Sequence, residues 1–319
     1  MLDGQPKALI IGTETALNSS ASGASIRFKN ISDLVQELGF QANIVTKQNA
    51  KSLINSNQWD LIVLVSFSNL KLLRISHKNA KLVWLDCTDS ILLTRKSLLS
   101  AGDLRQPIAL FLDRLRIFYN KRPGVISYIT ELDRDLDSKL HLSTTNCYVF
   151  PLNPEKVQVN NEFNSSRLVF VGDGRYLPNQ KAIEFLEEVL AFLDKSQKID
   201  IYGSGYQKNL HPQLRFHGYR DDQDVYQIRD IHLAPINYGA GMKAKVAIPL
   251  LSGLRVISTT IGANGFNTSA NLNIADSPKD FAHAIQSLQS SWNLSKPIND
   301  QLFARDQTEE LLLFIQSYF

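Results

Sequence analysis

The chain of 319 residues has a mass of 35.9 kDa, which suggests two domains at roughly 100–200 residues per domain. Apolar residues make up 44% and charged residues 20%, a globular composition that excludes collagenous, fibrous and disordered proteins. The formal net charge of +3 is too small to predict a nucleic-acid partner, and two cysteines are too few for a disulfide framework. Because no apolar run approaches the roughly 18 residues that cross a bilayer, we expect a cytoplasmic protein.

Short β-branched runs alternate with amphipathic stretches through the first half of the chain. The runs are mostly apolar without clean alternation, which is typical of parallel strands that are buried on both faces. They lie at residues 8–12, 42–46, 60–65, 81–85, 124–129 and 147–150. Between the first two runs apolar residues recur at helical spacing, and Gly39 follows as a helix stop. We therefore predict a Rossmann-like domain with a parallel sheet over residues 1–150.

Residues 151–166 interrupt this alternation with two prolines and four asparagines, and we interpret them as an interdomain linker. The alternation resumes over residues 167–300, which we predict to form a second Rossmann-like domain. Its strands are expected at residues 167–172, 198–203, 214–218, 231–235 and 254–258, with a helix at 178–193. Residues 301–319 are predicted as a C-terminal helix that can pack back on the first domain. The fold class is therefore α/β, with two Rossmann-like domains and a ligand-binding cleft between them.

The stretch from Ala234 to Phe266 carries the most chemical information. Gly239 and Gly241 allow a tight turn and a close approach of the backbone to a ligand. Lys243 and Lys245 follow in the first turn of a predicted helix, where cations oppose the helix dipole. A diphosphate bound at the helix N-terminus would offset that cost, whereas a surface turn with solvated lysines is the alternative.

The same stretch resembles the C-terminal domain of GT-B-fold retaining glycosyltransferases of family 4. The positions that match the family pattern in register are Pro235, Gly239, Gly241, Lys243, Lys245, Gly253, Val256, Ser258, Thr259, Gly262 and Gly265. Upstream, LVFVGDGRYLPNQKAIEFL (168–186) and IYGSG (201–205) are also similar to family segments. In the first half, SGASIRFKNISDLVQELGF (22–40) and KLVWLDCTDSILLTR (81–95) resemble its opening motifs. The resemblance spans nearly the whole chain in the expected order.

The resemblance implies a transferase that moves a sugar, with retention, from a nucleotide-diphosphate sugar to a glycan, lipid-linked or protein acceptor. It implies that the donor is a substrate and that neither a cofactor nor a metal is needed. On the donor side it assigns Lys243 as the catalytic phosphate cation, and Lys243 and Lys245 both as donor-binding residues. The donor-binding loops that it implies contain Gly172, Gly203, Gly239 and Gly241.

In the first domain, Gly23 is expected to approach the diphosphate from the opposite wall. Arg27 is a further candidate for donor binding, and a solvated helix arginine is an equal alternative. Asp86 and Asp89 end a predicted strand on the cleft side, where they would orient an acceptor hydroxyl in catalysis or cap the next helix.

One departure from the family pattern bears on activity. The glutamate that in the family binds the donor ribose is Ile248 here, followed by Pro249 inside the expected helix. The last acidic position of the pattern is Asn264. Loss of a charged hydrogen bond typically costs about 1.5–3 kcal/mol. The alternative function is therefore a non-catalytic GT-B-like subunit that binds a partner glycosyltransferase or an acceptor protein.

Two other patterns have competing interpretations. Asp222 and Asp224 form an Asp-x-Asp triplet, which we interpret as acidic residues at a helix N-terminus rather than a metal site. Residues 108–122 form a basic amphipathic stretch within Lys71–Arg122, which holds 11 Lys and Arg against 4 Asp. Such a helix can lie peripherally on the inner face of an anionic membrane, or it can be the solvated face of a core helix.

Overall fold

The computed structural model describes residues 5–18, 22–100, 102–119, 122–140, 146–161, 166–206, 211–290 and 302–319. The chain divides into two compact units. The first comprises Met1–Pro154 together with Arg305–Phe319, and the second comprises Glu155–Ala304. The division falls after Pro154, inside the stretch that we interpreted as a linker.

The first unit is built on a six-stranded sheet in which every neighbouring pair is parallel. Its strands are β1 (Lys7–Gly12), β2 (Gln41–Thr46), β3 (Trp59–Val65), β4 (Ala80–Asp86), β5 (Val125–Tyr128) and β6 (Cys147–Val149), in the order β2-β1-β3-β4-β5-β6. The helices are α1 (Glu14–Asn18), α2 (Gly23–Glu37), α3 (Lys47–Ser56), α4 (Leu73–Asn79), α5 (Ile91–Ser100), α6 (Gln106–Tyr119) and α7 (Glu131–Ser138). A 3₁₀ helix at Phe67–Leu72 precedes α4.

The sheet of the first unit is covered on both faces, which explains its continuous apolar runs. Successive residues of β1 alternate between two cores: Leu9 and Ile11 pack on one face, and Ala8 and Ile10 pack on the other. The last helix of the chain, at Thr308–Gln316, buries Leu311 and Ile315 in the second of these cores. It begins seven residues later than the predicted 301–319 helix, because residues 302–307 are not helical.

The second unit contains another six-stranded parallel sheet. Its strands are β7 (Leu168–Val171), β8 (Ile199–Tyr202), β9 (Leu214–Gly218), β10 (Ile231–Ala234), β11 (Arg255–Ser258) and β12 (Leu272–Ile274), in the order β12-β11-β10-β7-β8-β9. The helices that follow these strands are α8 (Leu177–Leu190), α9 (Asp222–Val225), α10 (Ala244–Leu251) and α11 (Pro278–Ser290), and the C-terminal helix of the chain is α12. The edge strand β12 is the one strand that the sequence did not predict among the described residues.

Each sheet has one point at which the strand order reverses. In the first unit the reversal lies between β1 and β3, and in the second it lies between β7 and β10. In open parallel sheets ligands bind outside the carboxyl ends of the strands at such a point.

No helix within the described part of the chain is both long and apolar enough to span a membrane.

Candidate functional site

Two loops meet at the reversal point of the second sheet. Strands β7 and β10 are hydrogen-bonded neighbours, so the segments that leave their carboxyl ends start side by side. Gly239, in the segment after β10, has a φ of +98°. A Cβ atom at Gly239 would lie 3.7 Å from Oη of Tyr176, in the segment after β7. The two segments are therefore in contact.

Gly172 and Gly203 allow two strand ends to pack against each other. Gly203 has a φ of +131°, and a Cβ atom there would lie 1.8 Å from the carbonyl oxygen of Gly172. The amide of Gly172 donates to the carbonyl of Tyr202 at 2.9 Å. A Cβ atom on Gly172 would lie 2.6 Å from Nδ2 of Asn179, so packing explains each glycine without a ligand, and their role in donor binding stays a prediction.

Lys243 is bound to the loop from which it extends. It is the N-cap residue of α10, and its side chain makes no capping hydrogen bond to the helix. Instead Nζ donates to the carbonyl oxygens of Ala240 and Gly241, each at 2.6 Å. Gly241 has a φ of +70°, which favours glycine. The half-buried ammonium therefore closes the glycine loop at the start of α10.

Lys245 lies beneath the neighbouring loop. Its Nζ donates to Oδ1 of Asn179 and lies 4.4 Å from the ring centroid of Phe170. A Cβ atom on Gly172 would come within 2.9 Å of the same nitrogen, so the missing side chain makes room for the ammonium. Burial, and then the positive charge of Lys243, lower the pKa of Lys245 to about 7. An anion bound here would favour the charged form of Lys245.

Ile248 stands where the family pattern has a ribose-binding glutamate, and its side chain packs in an apolar cluster. Ile248 packs against the cluster that includes Val169, Tyr202 and Leu254. Pro249 lies inside α10, two residues before the helix ends, and its carbonyl accepts a hydrogen bond from Leu254 at 2.8 Å. Local packing therefore explains the apolar side chain at position 248. Asn264 lies half-buried in the loop after β11.

In the first unit, Arg27 and Asp86 form an ion pair in which both side chains are wholly buried. Nε of Arg27 donates to Oδ2 of Asp86 at 3.2 Å, and the guanidinium also donates to the carbonyl of Pro151 at 3.1 Å. The guanidinium carbon lies 4.2 Å from the ring centroid of Phe150. Asp86 in addition accepts from Oγ of Ser127 at 2.6 Å. This arrangement explains both side chains by burial and pairing without a ligand, and their roles in donor and acceptor binding stay predictions.

The other first-unit candidates lie at the carboxyl edge of the sheet. Gly23 is the first residue of α2, and a Cβ atom there would meet nothing within 4 Å. Asp89 is half-buried in the turn after β4, where its amide donates to the carbonyl of Cys87 at 2.7 Å. Thr88 in this turn and Ser66 at the end of β3 have φ values of +60° and +78°, which non-glycine residues rarely adopt. Such strain is frequent at functional sites.

Asn69 is a buried residue at the reversal point of the first sheet and was not predicted from the sequence. Its Nδ2 donates to the carbonyls of Ile11 and Val65, at 3.2 and 2.7 Å, and so joins the ends of β1 and β3 at the reversal point. Asn69 is buried, and its Oδ1 accepts no hydrogen bond from the described residues. A single asparagine outside any motif gives no sequence signal for this placement.

The acidic triplet and the histidines provide no further site in the part of the chain that the structure describes. Asp222 and Asp224 lie in the first turn of the four-residue α9. Nε2 of His217 lies 2.7 Å from Oδ1 of Asp200, and its ring stacks on Tyr202 at 4.8 Å. Among the described residues no group of three or more His, Cys, Asp or Glu side chains is arranged to hold a metal ion.

Comparison with known proteins gives matches for the fold and for the second unit. Residues 165–291 match the family model of Glycosyl transferases group 1. No curated protein matches the sequence. Sucrose-phosphate synthase from Thermosynechococcus elongatus has a similar structure, with a TM-score of 0.69 and 10% identity over 98% of this chain and 95% of that one.

TarM is also similar in structure, with a TM-score of 0.61 and 14% identity over 85% of this chain. The match spans 57% of the TarM chain. A complex of S. aureus TarM with Fondaparinux, alpha-GlcNAc-glycerol and UDP matches with a TM-score of 0.52 and 15% identity, over 81% of this chain and 51% of that one. Residues 165–291 are therefore a Glycosyl transferases group 1 domain, in a chain whose two parallel sheets have the GT-B glycosyltransferase fold.

Proposed function

We propose that this protein transfers a sugar from a nucleoside-diphosphate sugar to a glycan, lipid-linked or protein acceptor. The donor diphosphate binds to the second unit at the loop from Gly239 to Lys243. Transfer proceeds with retention and without a metal ion. The group 1 domain supports the transferase activity. Beyond transferase activity, we propose the class of the donor, the class of the acceptor and the retention of configuration.

One observation carries the proposal: two lysines lie at the reversal point of a parallel sheet, one at the N-cap of a helix and one in its first turn. Lys243 is held over the glycine loop by the carbonyls of Ala240 and Gly241, and Lys245 lies below Gly172. Two cations near a helix N-terminus repel each other and oppose the helix dipole. A diphosphate would relieve both unfavourable interactions, and it is the group that leaves during sugar transfer.

Sugar transfer places negative charge on the departing diphosphate, and the protein must stabilise that charge. Backbone amides at the start of α10 and the ammonium of Lys243 supply fixed positive charge for this purpose. Lys245 adds a charge that increases when the anion arrives, because its pKa of about 7 leaves part of its population neutral beforehand. Acceptor binding is assigned to the first unit, at the strand ends near Gly23 and Asp89.

The test is nucleotide binding followed by turnover. UDP is the first nucleotide to try, because the structurally similar TarM was solved with UDP. Calorimetry with UDP, GDP and ADP should give saturable binding to at least one of them. Mass spectrometry of sugar nucleotides incubated with the protein should then detect hydrolysed or transferred sugar. Unchanged turnover in the presence of EDTA tests whether transfer is independent of a metal ion. The anomeric configuration of the product, measured by NMR, tests whether transfer proceeds with retention.

A matched pair of lysine variants tests the assigned site. Lys243→Ala should weaken diphosphate binding by about 1.5–3 kcal/mol, the value of a hydrogen bond to a charged group. Lys279→Ala, at an exposed position on α11, should leave the affinity unchanged. Equal affinities for the two variants would refute the placement of the diphosphate.

The non-catalytic subunit is the second candidate, and Ile248 is the observation that favours it. An apolar residue in place of the glutamate removes a ribose contact, so a chain of this kind could keep the fold and lose the donor. Absence of binding to every nucleoside diphosphate would select this alternative. Binding without turnover would leave a donor-binding subunit and would likewise reject the enzyme.

A further inference from the structure

Helix α6 presents a row of large apolar side chains to solvent. The exposed fractions are 67% for Ile108, 60% for Phe111, 44% for Leu112, 80% for Phe118 and 75% for Tyr119. Leu104, which precedes the helix, is also 80% exposed. Single exposed apolar residues are ordinary, but a contiguous group on one helix indicates an interaction surface.

The geometry of the helix places these side chains on one face. At about 100° per residue, the five exposed positions and the half-buried Leu115 cover an arc of about 120°. Gln106 and Asp113 are buried, and they lie on the opposite face together with the partly buried Leu110 and Ile117. The helix is therefore anchored to the first unit by one face and leaves the apolar face uncovered within the described residues.

Cations flank the apolar face on both sides. By the same geometry, Arg114 lies at one edge of the arc and Arg116 at the other. Arg116 is 51% exposed and pairs with Asp113 at 2.9 Å, and Asp113 is the single acidic residue of α6 and is buried. The predicted stretch 108–122 includes residues 120 and 121, which lie outside the described residues.

We propose that this face of α6 docks the first unit on an anionic lipid surface, with the helix in the plane of the headgroups. Amphipathic helices bind in this way, with apolar side chains in the acyl boundary and Arg or Lys at the headgroups. The arrangement of charge favours a lipid surface over a second copy of the chain. A two-fold interface brings identical patches together. Arg114 and Arg116 of both copies would then meet like charges.

Vesicle flotation of the full chain tests the proposal without any donor or acceptor. The protein should float with phosphatidylcholine vesicles that contain phosphatidylglycerol, and much less with phosphatidylcholine alone. Phe111→Ser should weaken this partitioning about tenfold or more. Arg114→Gln should weaken it about fivefold, as expected for about 1 kcal/mol per basic residue near an anionic membrane. Phe192→Ser, at a 50% exposed position in the second unit, is the control and should not change it.

A fluorescent substitution reports insertion directly. In Phe111→Trp the emission should shift to the blue with anionic vesicles, and brominated acyl chains should quench it. Light scattering without lipid measures self-association in parallel. Absence of flotation, or flotation that Phe111→Ser and Phe192→Ser reduce equally, would overturn the proposal. So would a dimer that Phe111→Ser converts to a monomer, because α6 would then be covered by a second copy. Each of these outcomes is independent of nucleotide binding.

Discussion

Binding of a nucleoside diphosphate should be coupled to proton uptake by Lys245. In the unliganded protein, burial and the charge of Lys243 lower the pKa of Lys245 to about 7. A diphosphate beside this amine favours the ammonium form, so the pKa rises when the complex forms. Protonation therefore accompanies binding at any pH between the two pKa values.

The expected magnitude follows from these pKa values. At pH 8 roughly a tenth of the Lys245 amines are protonated in the free protein, because the pKa lies about one unit below the pH. A unit charge at about 4 Å contributes about 4 kcal/mol at an effective dielectric constant of 20, enough to raise the pKa by about 3 units. Binding at pH 8 should then take up close to one proton, and at pH 7 about half a proton. Since the complex binds more protons than the free protein, affinity should fall as the pH rises above 7, by up to about tenfold per unit.

Calorimetry of UDP binding at pH 8, in two buffers that differ in ionisation enthalpy, measures this uptake. The slope of the observed enthalpy against the buffer enthalpy gives the number of protons. Lys245→Met should abolish the uptake, whereas Lys279→Met, on the surface of α11, should retain it. Protons taken up by the nucleotide itself are the same in both variants and cancel in the comparison. Tight binding without uptake, or an uptake that survives in Lys245→Met, would show that Lys245 does not sense the diphosphate.

Three further predictions concern stability. Gly203→Ala should destabilise the fold by more than about 3 kcal/mol in urea unfolding, because the added Cβ would meet a backbone oxygen at 1.8 Å. Gly218→Ala, with a φ of +71° and nothing within 4 Å, should cost only about 1–2 kcal/mol, and equal losses would contradict the steric argument. Arg27→Met should cost about 3–5 kcal/mol because it leaves Asp86 buried without its partner, and a loss below about 1 kcal/mol would refute a buried pair. Burial lowers the pKa of His232 to about 3, below its unfolded value, so this residue should lower stability as the pH falls below 6.5. Between pH 6.5 and 4.5 the wild type should lose about 2 kcal/mol more than His232→Phe, and parallel pH curves would contradict this.

The strands could be predicted because their signal is local. A parallel strand that is buried on both faces must be apolar at nearly every position, and β1 and β3 are apolar and buried along almost their whole length. The α/β prediction with two parallel sheets is confirmed on this basis. The missed strand β12 has only three residues, and Ile274 in it is 43% exposed, so no apolar run marks it.

The site could be predicted only as far as the loop. The backbone has a positive φ at positions 239 and 241, which favours glycine there. The sequence predicted both glycines as turn positions. The sequence did not predict that Arg27 and Asp86 form a buried ion pair. They are 59 positions apart, and nothing in the residues around either one shows that they bury each other's charge. A helix arginine and a strand-end aspartate are equally compatible with solvent, ligand or partner until the topology brings α2 beside β4.

Lys243 and Lys245 are two positions apart and identical in chemistry, and the sequence analysis places both in donor binding. Their surroundings differ. The carbonyls of Ala240 and Gly241 stabilise the ammonium of Lys243, whereas Lys245 lies against Phe170 with a lowered pKa. Lys245 therefore attracts a diphosphate as a cation only after it has taken up a proton. If both act on the donor, the contribution of Lys245 to the pH dependence of binding should persist in Lys243→Ala and should move to higher pH, because the charge of Lys243 lowers the pKa of Lys245.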